Sequence, residues 1–378
     1  MATFNDYLAK IQTNAYKTKA KIELLRRVDE TPYSTIEGDI IGGNITINRK
    51  NGTRRTCSVV LNNYDGAYIP DEYLFWINSK FKLSIGVLCD DGEYYYVPMG
   101  IFVTQNPLMD VGIGRTDTIT ISGTDKFSLL SGLNSGILGA TYIISLGTNI
   151  PTAIRTILTT FNDTINPIIH STYTSEVTPY TITEAYGKTS QNLLFQLQGM
   201  LSSNIYYDAN GQLVFEPDFN DAGKASEWDF EKGDFHYIGA RYEPDYSSVK
   251  NKILVIGDNI NGAIYDAVAE NTNLQSPTRT QLIGEKLEII EDSNIYTTAL
   301  AQDRADYELK RKIAVYSGVS IESAIIFHLD VDKVITLTED KLKFDKERFL
   351  IENINIPLGN SASRMTIDVV KTSDLVLG

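Results

Sequence analysis

Short turn signals punctuate this chain, at Asn51-Gly52, Asp91-Gly92, Asn210-Gly211 and Asn261-Gly262. Each sits among runs in which apolar and polar residues alternate. That combination predicts β-hairpins, because a type I′ turn needs positive φ at both central residues. Ile45 and Ile47 precede the first turn, and Cys57, Val59 and Leu61 follow it on one face. Phe81, Leu83, Ile85 and Val87 lead into the second turn, and the aromatic run from Glu93 to Val97 returns from it. Ile119 and Ile121, Leu213 and Phe215, and Met365, Ile367 and Val369 repeat the period of two further along. A side-chain period of two buries one face of a sheet. Many short strands with turns between them predict a mainly β protein, a barrel or a sandwich.

Helical spacing interrupts this pattern in a few places. Phe4, Leu8 and Ile11 predict a short N-terminal helix. In "NIPTAIRTILTTF", Asn149 is placed to cap a helix, Pro151 suits its first turn, and Ile154, Ile157, Leu158 and Phe161 make its apolar stripe. In "YGKTSQNLLFQLQGML", Gly187 ends a strand and Thr189 or Ser190 caps a helix whose core face is Leu193, Leu194, Leu197, Met200 and Leu201. In "TTALAQDRADYELKRK", Thr297 or Thr298 is the cap and Ala301, Ala305 and Leu309 line one face. Asp306/Lys310 and Glu308/Lys312 have ion-pair spacing on another face. The texture therefore divides the chain into a β-rich part over 1–126, a small α+β part over 127–243, and a second β-rich part with one helix over 244–378. The polar stretch from Asp218 to Gly233 reads as the linker out of the middle part. Two β-barrels flanking an inserted α+β domain is the expected architecture.

The same stretch raises a nucleotide site and then removes it. Gly187-Lys188-Thr189 ends like a P-loop, but the loop needs a glycine five residues before Gly187, where Ile182 stands. Glu184 puts a carboxylate where phosphate would sit. "GIGRTD", Gly112 to Asp117, lacks the third glycine of a dinucleotide fingerprint and leads into a strand. In "DANGQ", Asp208 to Gln212, the glycine falls two positions early for a calcium loop, and a hairpin turn explains it. The acidic neighbours Asp90/Asp91, Glu291/Asp292 and Asp330/Asp332 read as solvated turns, since a glycosidase pair must face across a cleft. His170, His236 and His328 are scattered without ligand spacing, and Cys57 and Cys89 read as buried thiols in strands. Tyr94-Tyr95-Tyr96 suits either a partner-facing aromatic surface or a strand with one aromatic face in the core. No catalytic, cofactor-binding or metal-binding residue is expected.

Charge and hydropathy set the environment. Asp and Glu outnumber Lys and Arg by 48 to 34, a formal net charge of −14, which argues against a surface built to grip nucleic acid. No apolar run approaches the roughly 20 residues that span a bilayer. The start "MATFNDYLAKIQ" lacks the basic segment and apolar core of a secretory signal, so the chain is expected to stay where it is made or to leave by cell lysis.

The order of segments carries a resemblance. "ILVIGDNINGAIYDAVAENTNLQSPT" is followed by "IGEKLEIIED", the helix "AQDRADYELKR", "VDKVITLTED", "RFLIENINIPLG" and a last strand. Together with "GKTSQNLLFQLQGMLSSNIYYDANGQLVFEP" and the early "IEGDIIGGNITINRKNGTRRTCSVVLNN", this resembles the baseplate-hub or tail-tip-hub proteins of tailed bacteriophages and of phage-tail-like bacteriocin particles. The resemblance implies two tail-tube-like barrel domains per chain and a homotrimer forming a ring of pseudo-sixfold symmetry. It implies a tail tube protein on one face and a central spike or tip protein on the other. Baseplate wedge or LysM-type tail proteins would be neighbours, and DNA would pass through the lumen without specific binding. The chain would be made in the host bacterial cytoplasm and reside in the virion tail or tail-like particle. It would be structural rather than enzymatic, with no cofactor and no membrane partner. Some relatives carry a C-terminal peptidase or lysozyme extension. This sequence ends after its last expected strand, at "KTSDLVLG", so none is expected here. A receptor- or glycan-binding tail protein is the alternative, motivated by the aromatic strand, and a cell-wall hydrolase is a third reading.

Overall fold

The computed structural model describes residues 2–372 apart from 14–15, 39, 72–73, 115, 202, 218–223, 261–262, 293–294, 296, 314–315 and 360–363. The chain divides into two compact units. One comprises Met1–Phe219, Glu322–Val331 and Asn353–Thr366; the other comprises Asn220–Ile321, Asp332–Glu352 and Ile367–Gly378.

The first unit begins with helix α1 (Phe4–Ile11), closed by a capping box in which the Thr3 hydroxyl accepts from the Asp6 N–H and the Asp6 carboxylate accepts from the Thr3 N–H. Its buried face is Tyr7 and Ile11, whereas Phe4, expected in the stripe, is 43% exposed. Tyr7 takes the inward position because its hydroxyl finds partners there: His328 Nδ1 at 3.0 Å and the His328 N–H at 3.2 Å. Strands β1 (Thr18–Leu25), β2 (Pro32–Glu37), β3 (Ile40–Asn48), β4 (Arg55–Asn62), β5 (Lys80–Leu88), β6 (Tyr94–Thr104), β7 (Leu108–Asp110) and β8 (Thr118–Asp125) follow. They pair in the order β2-β1-β5-β6-β8-β4-β3, with β7 also on β8. Residues Asn353–Leu358 of a late strand pair antiparallel with Gly43–Asn48 of β3. Ile45, Ile47, Cys57, Val59, Leu61, Phe81, Leu83, Ile85, Ile119 and Ile121 are all buried, as the period of two predicts, while β5 and β6 bury residues of both faces.

Within the same unit, β9 (Tyr142–Ile144), α2 (Ile150–Thr160), β10 (Ile168–Ile169), β11 (Ile182–Glu184), α3 (Ser190–Met200), β12 (Ser203–Tyr207) and β13 (Leu213–Pro217) build the α+β part. Asn149 caps α2, accepting from the Thr152 N–H at 3.1 Å. Ile154, Ile157 and Leu158 meet Leu193, Leu194 and Leu197 of α3, and Ile205, Leu213 and Phe215 of the β12-β13 hairpin, in one core. Thr189 holds the N-cap position of α3, but no side-chain cap forms. Its hydroxyl bonds Asn192 Oδ1 at 3.2 Å, and the buried Ser190 hydroxyl donates to the Leu130 carbonyl at 3.1 Å.

The second unit holds β14 (Ser226–Glu231), β15 (Tyr237–Asp245), β16 (Lys252–Ile260), β17 (Ala263–Glu270), α4 (Thr280–Ile283), β18 (Leu287–Glu291) and α5 (Thr298–Lys312). It also holds β20 (Val334–Glu339) and parts of β19 (Tyr316–Ala324), β21 (Phe344–Leu358) and β22 (Arg364–Lys371). β14 falls inside the expected linker. Its one fully buried side chain, Phe230, anchors it in parallel register on β20, with Phe230 opposite Leu337. Residues 218–223 of that linker lie outside the described residues, as do Asn261 and Gly262. The strands around the latter pair antiparallel, Ile260 opposite Ala263. β17, β16 and β18 form a separate sheet in that order, β16 and β18 being parallel. Thr297 caps α5, whose Ala301 and Ala305 pack on Ile253, Val255, Ala267 and Ala269 of this sheet. Lys312, at ion-pair spacing from Glu308, reaches Glu288 of β18, and Arg304 pairs with Glu308 at 2.9 Å.

The fold is mainly β with an α+β insertion, as expected, but the sheets are open. Among the described residues nothing pairs with the outer edge of β2, which buries only Ile36. A strand with a single inward apolar residue has no inner face with which to close a barrel. The turns also differ from type I′. At Asp91-Gly92 and Asn210-Gly211 only the glycine has positive φ, 83° and 74°. The bonds run from the Cys89 N–H to the Glu93 carbonyl and from the Gly92 N–H back to Cys89, with the same pattern at Asp208 and Gln212. These are type I turns closed by a left-handed glycine, the usual three-residue hairpin loop.

Candidate assembly surface

The residue patterns that raised chemistry are each occupied by local structure. Around Gly187, which has φ 80°, the Gly187 N–H donates to the Leu138 carbonyl and the Leu138 N–H to the Lys188 carbonyl, both at 2.8 Å. The nearly buried Glu184 carboxylate accepts from Gln196 Nε2 at 2.6 Å, so a carboxylate lies against the first turns of α3 where a P-loop would need phosphate. Asp208 Oδ1 accepts from the backbone of Asn210 and Gln212 at 2.9 and 2.8 Å, which spends it on its own turn. Asp91 likewise accepts from the Glu93 N–H, and Asp90 pairs with Lys10 at 2.7 Å. Asp330 pairs with Arg55, and Glu291 ends β18 in solvent. His328 meets Tyr7, His236 lies edge-on to Trp228, and His170 caps a short turn at 171–173. Among the described residues no three His, Cys, Asp or Glu stand together in metal-binding geometry, and no helix is long and apolar enough to cross a membrane. Cys57 and Cys89 are free, and burial pushes both thiols up.

The aromatic strand divides its rings between two faces. Tyr95 packs against Tyr7 and Phe4 at 5.4 and 6.0 Å between centroids. Tyr94 and Tyr96 turn the other way and stand under the Lys19 and Lys21 ammonium groups at 5.8 and 4.4 Å. All three rings are half-buried.

A buried ionic cluster holds the strand-rich and α+β parts of the first unit together. Lys126, directly after β8, is fully buried. Its ammonium meets Glu30 at 2.8 Å, Asp163 at 2.9 Å and the Gly211 carbonyl at 2.9 Å. Glu30, in the β1-β2 turn, also takes Lys80 at 2.6 Å. The Tyr207 hydroxyl donates to Asp163 at 2.6 Å, and burial together with that carboxylate pushes its ionisation well up. Two cations and two carboxylates balance, which is the condition for burying charge at all. Beside them the buried Asp125 carboxylate accepts from the N–H groups of Arg54, Arg55 and Phe127 at 2.7, 3.0 and 3.1 Å, yet burial outweighs these bonds and pushes it up to about 6. Gly52 adds a further tie, donating to the Ile205 carbonyl at 3.1 Å, while Asn51 Oδ1 accepts from the Ile205 N–H at 2.9 Å.

What this unit presents outward includes an edge and a tip. The edge strand β2 exposes Tyr33, and the Thr164 hydroxyl donates to Val28 in the turn that carries it at 2.8 Å. The β7-β8 hairpin exposes Leu108, Val111 and Ile113, the last fully, in the stretch that had resembled a dinucleotide fingerprint. The Gly112 N–H bonds Asp117 Oδ1 at 3.0 Å and folds that tip on itself. Exposed edges and apolar tips are sites of protein contact. The tip had a readable signal, apolar residues inside a glycine turn. The Lys126 cluster had none, its members being drawn from remote positions.

No protein-family profile matches the sequence, and a search of curated proteins finds no match. Solved structures do match, along almost the whole chain. The 43 kDa tail protein of prophage MuSo2 from Shewanella oneidensis aligns with TM-score 0.65 and 14% identity over 94% of this chain and 98% of that one. A tail protein from Neisseria meningitidis MC58 aligns with TM-score 0.67 and 10% identity over the same shares. A chain of the Francisella PdpA-VgrG complex aligns with TM-score 0.61 and 11% identity over 99% of this chain and 62% of that one. The chain therefore has the fold of phage tail proteins, at identities that speak to fold alone.

Proposed function

We propose that this chain is a structural hub of a phage tail or phage-tail-like particle. Three copies form a ring of pseudo-sixfold symmetry, one face seated on the tail tube and the other on a central spike or tip protein. Baseplate wedge or LysM-type tail proteins flank it. In this reading 1–126 and 244–378 are the two tube-like domains, and 127–243 is the middle domain. The observation that carries it is the near end-to-end match to tail proteins, 94% of this chain against 98% of theirs. The chemistry supports it. The candidate nucleotide, calcium and carboxylate patterns are taken up by local structure, and an assembly role calls on none of them. The open edge of β2 and the apolar β7-β8 tip are surfaces that a ring would pair and cover. A net charge of −14 suits a lumen through which DNA passes without adhering. A glycan-binding role has less support, because Tyr94 and Tyr96 already engage Lys19 and Lys21 respectively. Electron microscopy of the chain mixed with its tube and spike proteins tests the proposal. Threefold rings at the tube end are expected, and a chain that joins neither partner overturns it.

A further inference from the structure

Among the described residues, the small sheet β17-β16-β18 has two apolar faces and one cover. Strand alternation sends Ile253 and Val255 of β16 toward α5 and Leu254 and Ile256 to the opposite face. On that opposite face Ile264, Val268, Leu287 and Ile289 stand 61, 47, 40 and 54% exposed. Leu254 lies opposite Val268 on one side and Ile289 on the other, so the three make a continuous apolar row across the sheet. β16 pairs parallel with β18 and antiparallel with β17, and both of its faces carry apolar residues. The border of the face is acidic. Asp266 and Glu270 of β17 and Glu291 of β18 share it by alternation. Lys252, the cation on the same face, is already drawn to Glu285 at 2.7 Å and Glu270 at 4.0 Å.

We propose that this face docks an amphipathic helix of another protein, one with an apolar stripe bordered by lysine or arginine. A helix there would cover the sheet as α5 covers the other side and complete a three-layer α/β/α arrangement. The acidic border selects the partner's flanking charges. It also disfavours a second copy of this chain, which would bring the same acidic border and the same net charge of −14. The inference stands apart from the hub reading, since it follows from the sheet itself and holds for any role.

The test uses the full chain and two labelled synthetic helical peptides with an identical leucine stripe, one flanked by lysines and one by glutamates. Wild-type protein is expected to bind the lysine-flanked peptide and to discriminate against the other. V268K/I289K should weaken that binding by at least about tenfold with no fall in thermal stability, because both positions are exposed. D266K/E291K should reverse the preference between peptides, which keeps the test decisive if the first variant folds poorly. Binding of neither peptide, or equal binding by all variants, overturns the proposal. So does sedimentation showing that wild type self-associates through this face and V268K/I289K does not, because the occupant is then a second copy.

Discussion

Lys126 is one fully buried ammonium group on which Glu30, Asp163 and the Gly211 carbonyl all converge. Removing it leaves two buried carboxylates without their shared cation. Lys126→Met is therefore expected to destabilise the fold by about 3–5 kcal/mol in urea unfolding. Asp125 next to it supplies a pH signature. Its carboxyl is pushed from 3.8 up to about 6 in the folded chain. Between those values the folded state keeps a proton that the unfolded state releases, so raising the pH favours unfolding. Relative to Asp125→Asn, the wild type should lose about 3 kcal/mol as pH rises from roughly 4 through 6. A flat difference over that range would contradict the assignment. None of this was readable beforehand. Lys126, Glu30, Lys80 and Asp163 come from separate turns and strand ends, and no periodicity links them.

At the scale of elements, strands and helices were legible wherever one face is buried, because burial imposes the period. Ile45/Ile47 against Cys57/Val59/Leu61, and the leucines of α3, are such cases. Legibility failed where an element is held by one anchor or by polar partners. β14 hides in a polar stretch because Phe230 alone is fully buried, and α1 turns Tyr7 inward because His328 waits for its hydroxyl. Turn glycines were found, but not their environments. Gly211 has φ 74°, and a Cβ there would lie 2.7 Å from Ile101 Cδ1 and 3.0 Å from its Cβ. Gly187 has φ 80° and open space around it. Gly211→Ala should therefore cost about 2–3 kcal/mol, combining positive-φ strain with displacement of a packed isoleucine. Gly187→Ala should cost only about 1 kcal/mol of φ strain. Equal costs in parallel thermal melts would mean that the Ile101 contact carries no weight.

For the whole molecule, the order of segments was the informative signal, and the match to tail proteins over 94% of the chain agrees with it. Barrel closure was not legible, since closing a sheet depends on which edges meet and a period of two says only which faces are buried. The open edge of β2, the apolar β7-β8 tip and the acidic-bordered sheet face in the second unit are the uncovered surfaces that the proposed assembly would engage. Mass photometry of the purified chain titrated with its tail tube and spike proteins tests the hub claim most directly. The account predicts complexes containing three copies of this chain with both partners. A chain that stays monomeric in their presence and joins neither would contradict it.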